Sequence, residues 1–284
     1  MNRTGFDQLL HQNFKSRVKA TPALKRLALA AMRNLAALSW RIRPDALIRY
    51  GAFLLDWRRF LSAGGKAEVL DFFPCLFDKT STTGIDTHYF HQAIWAFRQV
   101  RQSGAARHID VASDVNFVGL LTTITDVVFV DIRPLLVRIP NYHGVSASVT
   151  CLPFADGSLA SLSCMHVLEH IGLGRYGDPI DPRGPEKACR EIARVLQPGG
   201  NAYVSVPIGR ARVCFNGQRV FAVSEVRALF ASLELHDMAI VDVPGNFIDH
   251  VAPESVDIRE AEGGSDFGLG MFRFGKPIPI SHPR

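Results

Sequence analysis

The chain is short of several things, and each shortage closes off a class of protein. Its five cysteines, Cys75, Cys151, Cys164, Cys189 and Cys214, include no CxxC pair. That spacing builds neither a disulfide framework nor a zinc site. No other metal-ligand spacing accompanies it, so the expectation is free thiols in a reducing cytoplasm and no metal. No apolar run reaches ~18 residues, so no transmembrane helix is expected. The amino terminus begins polar and lacks the apolar core of a signal peptide. There is no GxGxG turn anywhere, no internal repeat and no low-complexity stretch. Acidic residues are scarce at one end only. Residues 1–60 carry twelve Lys/Arg and three Asp/Glu, a balance of +9, and the rest of the chain carries 20 and 24, a balance of −4. The basic character therefore belongs to the amino-terminal segment, and no nucleic-acid partner is expected for the whole protein.

What is present suits one large core with an appendage. The chain has 284 residues, 47% of them apolar, and such a length fits a single α/β domain better than two equal ones. Residues 1–80 read as a basic helical extension and 81–284 as an α/β domain. Thr21-Pro22 opens a helix as N-cap and first-turn proline. Leu24, Leu27, Ala31, Leu35, Leu38 and Ile42 form one apolar face of it, and Pro44 ends it. This basic amphipathic segment, 21–44, either packs its stripe on the main domain or lies on an anionic membrane surface. Residues 46–80 read as helix then loop, and Thr87 to Gln102 as a helix.

From Arg107 the pattern alternates. Strands are expected at His108–Ala112, Val127–Asp131, Val145–Val149, Leu159–Cys164 and Ala202–Val206, with late strands near Met238–Val243 and Gly270–Phe274. Helices are expected at Asn116–Thr125, Pro185–Leu196 and Ser224–Ser232. Such alternation predicts a mostly parallel, seven-stranded sheet with helices on both faces, a Rossmann-like α/β fold. Pro253–Asp266 reads as an exposed loop.

In doubly wound sheets, ligands sit at the carboxyl ends of the strands. The first strand ends in Asp110-Val-Ala-Ser-Asp114, so Asp110, Ala112 and Ser113 are candidate ligand contacts. Asp114 can cap the next helix, and its charge repels a ligand carboxylate. The second strand ends in Asp131-Ile132, where an acidic side chain can accept both hydrogen bonds of a ribose diol. Then come Leu152-Pro-Phe-Ala-Asp-Gly-Ser-Leu159, a strand, His166-Val-Leu-Glu-His170-Ile171, a helix and Arg194-Val-Leu-Gln-Pro-Gly-Gly200. Leu152 and Phe154 sit where an apolar wall could cover a base, and Pro198-Gly199-Gly200 reads as a turn into the fifth strand.

These three linked motifs resemble class I S-adenosylmethionine-dependent methyltransferases. Over roughly residues 45–250 the chain is most similar to one uncharacterised methyltransferase-like family. That likeness rests on His108–Ser113, Asp131–Pro134, Gly172–Asp178, Phe215-Asn216, Arg219–Phe221, Asp86–Phe90 and Trp95. The resemblance implies S-adenosylmethionine as cofactor, held by Asp110, Ala112, Ser113, Asp131, Ile132, Leu152 and His166. Association with bacterial surface-polysaccharide pathways implies a glycan or other small-molecule acceptor. Two positions depart from the pattern: Ser148 stands where an acidic residue usually meets the adenine amino group, and the first-strand glycines are absent.

Methyl transfer to a hydroxyl needs in-line approach and removal of a proton. His170, Glu169 and His166 are candidate bases, or they brace the loop after the fourth strand. The long Gly172–Pro185 loop offers Arg175, Tyr176 and Asp178 as substrate contacts. Asn216 and Arg219 are further candidates, with a structural ion pair as the other reading of Arg219. Two alternative functions stay open: a non-catalytic module that kept the fold, and a membrane-surface partner using the basic helix.

Overall fold

The computed structural model describes residues 45–255 and 267–279, together with Ala31. Apart from Ala31, the expected helix from Thr21 and the membrane-contact segment 21–44, together with most of the loop to Asp266, lie outside the described residues. The chain divides into two compact units, Met1–Gly84 and Ile85–Arg284. In the first, helix α1 (Ala46–Ser62) is followed by a short 3-10 turn, Val69–Asp71. The Trp57 indole N–H donates to the Ala67 carbonyl at 3.1 Å. Buried Phe72 takes the rings of Phe53 and Trp57 edge-on.

The second unit is built on a sheet. Its strands are β1 (Arg107–Val111), β2 (Asp126–Asp131), β3 (Tyr142–Ser146), β4 (Leu159–Met165) and β5 (Leu196–Ile208). Later come β8 (Glu234–Val241), β9 (Phe247–Ile248) and β10 (Gly268–Gly275). The spatial order is β3-β2-β1-β4-β5-β10-β8-β9. The first five are parallel, and β10 runs antiparallel between β5 and β8. This is the mostly parallel Rossmann-like α/β sheet expected from the sequence, corrected in two respects. The sheet has eight strands rather than seven, because the chain turns back at Asp242–Gly245 and pairs Phe247 and Ile248 with β8. A separate hairpin, β6 (Arg212–Cys214) with β7 (Gln218–Val220), also stands after β5.

Helices cover both faces. Helix α2 (Thr87–Ser103) starts at Asp86, whose carboxylate accepts from the Tyr89 amide at 3.2 Å. It buries Gln92, Trp95, Ala96, Gln99 and Val100, a single stripe at helical spacing. That stripe and α3 (Val115–Leu121) meet Val127, Phe129, Tyr203 and Met271 on one face of the sheet. On the other face α4 (Gly184–Val195) buries Ala188, Cys189, Ile192 and Val195 against Ile109, Leu162, Val204 and Val206. Helix α5 (Val223–Leu229) adds Val226 to that side.

Several boundaries move for physical reasons. The third strand runs from Tyr142 to Ser146, not Val145 to Val149. Helix α3 ends at Leu121 rather than Thr125, where the Thr122 and Thr123 hydroxyls each donate at 2.7 Å to carbonyls three residues back. Pro198-Gly199-Gly200 is not a turn before β5 but an irregularity inside it. Leu196 pairs with Leu159, the register then shifts, and Gly199 takes φ +77° there. Among the described residues no helix is long and apolar enough to cross a membrane.

Candidate functional site

The sheet order reverses direction between β1 and β4, which places a crevice at the carboxyl ends of those strands. A cavity of about 240 Å³ opens there. Its wall runs from the end of β2 (Asp131, Ile132, Arg133) and the segment after β3 (Ser148, Val149, Thr150) to Ala112, Ser113 and Asp114 after β1. His166 and His170 after β4, Tyr89 of α2 and Tyr176 of the long loop complete it. Charge on this wall is mostly negative: Asp114, Asp131, Asp178 and Asp181 line it, with Arg133 the single Lys or Arg.

Two strand ends bend into the crevice by the same device. Ala112 and His166 both adopt left-handed backbone, at φ 54° and 56°. A β-carbon disfavours this conformation, and it persists where surroundings impose it, often at functional sites. One bond ties the bends together: the Met165 amide donates to the Ser113 hydroxyl at 3.1 Å. The Ser113 amide in turn donates to Asp110 Oδ1 at 3.0 Å.

Asp110 lies beneath the cavity and not in its wall. It is fully buried, and burial pushes its carboxyl up to about 6 against the pull of Ser163 and Ser113. The Ser163 hydroxyl donates to Asp110 Oδ2. His108 completes a chain, with Nε2 2.8 Å from Ser163 Oγ and Nδ1 2.7 Å from Ser161 Oγ. Since Ser163 donates to Asp110, it accepts from His108 Nε2–H, and Nδ1 then accepts from Ser161. Burial lowers His108 to about 3, so the imidazole is neutral. This relay was not read from the sequence. Its signal is polar residues at alternate positions of two otherwise apolar strands, His108 and Asp110, Ser161 and Ser163.

The acidic residue expected to meet a ribose diol, Asp131, stands at the cavity edge with its side chain 11% exposed. Its Oδ1 accepts from the Arg133 amide at 2.7 Å. Ile132 lines the same end.

After β4, His166 and Glu169 form a close pair, with Nδ1 to Oε1 at 2.5 Å. Glu169 is fully buried beside the wall, and both its Oε2 and His166 Nε2 lack a hydrogen-bond partner. The His166 ring runs nearly parallel to those of His88 and Tyr89. Burial lowers the basicity of His88 and pushes the Tyr89 hydroxyl up to about 12. His170 lines the cavity, its Nδ1 2.8 Å from the Gly217 carbonyl and its Nε2 3.8 Å from Glu169 Oε1. Burial lowers its basicity too.

The other expected contacts divide. Tyr176 lies in the wall, under the Arg133 guanidinium at 4.2 Å. Asp178 also lines the cavity, with its carboxylate taken up by the amides of Gly172, Gly174 and Tyr176. Arg175 is outside the wall and donates to the Gly217 carbonyl at 2.8 Å. Asn216 is in the hairpin connection between β6 and β7, also outside the wall. Two residues have surroundings unlike those expected. Leu152 is a core residue, 3% exposed, and Val149 and Ile132 supply apolar wall in its stead. Arg219 is buried and donates to the Ile171 carbonyl at 2.6 Å, bracing the turn that carries Glu169 and His170.

Residues 156–239 match a family profile described as a Caenorhabditis protein of unknown function, DUF268. No curated protein matches the chain. Among solved structures, the chain is similar to the [4+2]-cyclase SpnF, at 16% identity and TM-score 0.49, over 66% of this chain and 81% of that one. It is similar to the N-methyltransferase NodS from Bradyrhizobium japonicum in complex with S-adenosyl-l-homocysteine, at 14% identity and TM-score 0.47, over 72% and 92%. A Haloferax volcanii putative methyltransferase in complex with its Trm112 activator gives 16% and 0.48, over 69% and 92%.

Proposed function

We propose that this chain is an S-adenosylmethionine-dependent methyltransferase acting on a hydroxyl of a small-molecule acceptor. The observation that carries this reading is the cavity at the switch point between β1 and β4, with an acidic side chain at the end of β2. The residues fit the donor. Asp131 has a carboxylate at the cavity edge suited to a diol, Ile132 and Val149 offer apolar faces to a base, and left-handed Ala112 exposes backbone beside them. When bound, the donor supplies a methyl group on a sulfonium, which an acceptor oxygen attacks in line.

The chain's part is to orient the acceptor and take its proton. Of the three candidate bases, His166 has the most suitable arrangement. With Nδ1–H directed at Glu169, its Nε2 is left as a buried acceptor without a partner, on a ring that lines the cavity. Glu169 holds the tautomer and steadies the imidazolium that forms, as a buried carboxylate does beside a general-base histidine. His170 gives its Nδ1 side to Gly217 and stands as the second candidate. A surface-polysaccharide precursor as acceptor rests on the family resemblance, and a cytoplasmic site of action on the cysteine usage of the sequence. Contact with a membrane through residues 21–44 rests on the basic amphipathic pattern of that segment, and liposome flotation with and without residues 1–44 tests it.

The experiment for the function is titration calorimetry of the full chain with S-adenosylhomocysteine, run on wild type and Asp131→Ala. Binding is expected, weakened about tenfold or more in the variant, since a bidentate charge-assisted contact is lost. A non-catalytic module is the competing reading, favoured by Asp114 standing in the first-strand turn. No heat and no thermal shift at millimolar ligand would overturn the methyltransferase reading.

A further inference from the structure

Two segments far apart in sequence line the cavity and meet at its edge. One is the end of β2, with Asp131, Ile132 and Arg133; the other is the Gly172–Pro185 loop, with Tyr176 and Asp178. They meet where the Arg133 guanidinium lies over the Tyr176 ring, 4.2 Å from its centre. The ring is the fixed partner. The Tyr176 amide and those of Gly172 and Gly174 donate to the Asp178 carboxylate, and His170 meets the ring edge-on at 5.5 Å. Arg175 also lies over it, 5.0 Å from its centre, and is tied to the Gly217 carbonyl. The Arg133 guanidinium is the movable partner. Its side chain is 59% exposed, and the carboxylate it pairs with, that of Asp131, stands 3.9 Å away.

The cavity in this state is small. It holds about 240 Å³, where sites for small molecules run to roughly 300–1,000 Å³. A methyl donor and its acceptor have to share it, so part of the wall must give way. The β1 and β4 ends are joined by the hydrogen bond from the Met165 amide to Ser113. The Arg133–Tyr176 contact is looser: a cation–π pair at an exposed site shifts an equilibrium by about two- to fivefold. It is the contact that opens most easily.

We propose that Arg133 is a strap across the cavity mouth, closing the site when stacked on Tyr176 and swinging off the ring to let the donor in and out. This rests on the nucleoside-donor reading above. The same stack closes the free and the occupied site, so it slows entry and exit alike and leaves affinity nearly unchanged. A side chain that held the donor directly would act mainly on exit.

The test is the binding kinetics of S-adenosylhomocysteine on the immobilised full chain. Arg133→Ala and Tyr176→Leu should each raise the association and dissociation rates together, by about two- to fivefold, with Kd nearly unchanged. Tyr176→Phe keeps a ring for the guanidinium and should restore the slow exchange that Tyr176→Leu loses. A rise in dissociation alone, with weaker binding, overturns the strap and makes Arg133 a donor contact. Rates equal to wild type's in Arg133→Ala overturn it too. Hydrogen exchange of the ligand-free chain reads the strap without a donor: amides of the Gly172–Pro185 loop should exchange faster in Arg133→Ala. If S-adenosylhomocysteine does not bind and the loop still loosens, the donor reading falls and the strap stands. A loop whose exchange is unchanged overturns the strap.

Discussion

Asp110→Asn tests the buried relay by its pH dependence. Asp110 is fully buried, and its carboxyl is raised from an ordinary 3.8 to about 6, chiefly by burial. The native state therefore holds this proton more tightly than the unfolded chain does. Between these two values the unfolded state binds fewer protons, so stability falls as pH rises. At roughly 1.36 kcal/mol per pH unit, the loss from pH 3.8 to 6 is about 3 kcal/mol. His108 acts in the opposite sense. Its pKa is lowered from 6.5 to about 3, so its contribution grows as pH rises over much the same range. The wild-type curve thus mixes two opposed slopes, and the variant isolates one. The introduced asparagine keeps an acceptor for the Ser113 amide. Its NH₂ can donate to Ser163 Oγ if the relay reverses, with Ser163 donating to His108 Nε2 and His108 Nδ1–H to Ser161. Urea denaturation of both proteins at pH 4, 5, 6 and 7.5 gives the comparison. The variant should gain on wild type by about 2.4 kcal/mol from pH 4 to 7.5. Parallel curves would refute the argument that a desolvated carboxyl sits under the cavity.

Ala112→Gly should stabilise the protein by about 0.5–1 kcal/mol, because relief of a left-handed alanine exceeds the added unfolded-state entropy; the urea midpoint reads it, and a drop in stability counts against the strain. Gly172→Ala should destabilise by about 3 kcal/mol or more, since Gly172 sits at φ +77° and a β-carbon would overlap the Asp181 carbonyl oxygen; an unchanged thermal midpoint contradicts it. Arg194→Ala should lower the urea midpoint, because that guanidinium joins Glu191 to Asp156 and to the carbonyls of Leu152 and Phe154. A midpoint equal to wild type's, in low salt as well as high, would show that these bonds are screened by solvent and add nothing.

The sequence made the central strands legible because buried parallel strands leave near-continuous apolar runs, as in Val127–Val130. Strand β3 was displaced by three residues because it is an edge strand whose residues are half-buried or exposed, so its pattern is faint. The β6–β7 hairpin and β9 escaped notice for a similar reason: they are two or three residues long, and Val213 and Phe215 face solvent. At the site, position along a strand was legible and side-chain direction was not. Ala112, Ser113, Asp131, His166 and His170 line the cavity because topology carries strand ends there. Leu152 and Arg219 share those segments and point into the fold, which no spacing rule announces.

The missing glycines show where pattern and structure part. A turn that brings backbone to a ligand needs a left-handed residue, and glycine supplies it at no steric cost. Ala112 supplies the same conformation at φ 54°. The surroundings hold it there: its amide donates to the Val130 carbonyl at 2.9 Å, and the next residue is bonded to both Asp110 and Met165. The turn therefore makes its left-handed bend without a glycine. What changes is charge, because Asp114 closes the helix start with a carboxylate of its own. The first-strand departure is thus an electrostatic one, set by the Asp114 carboxylate at the start of the next helix.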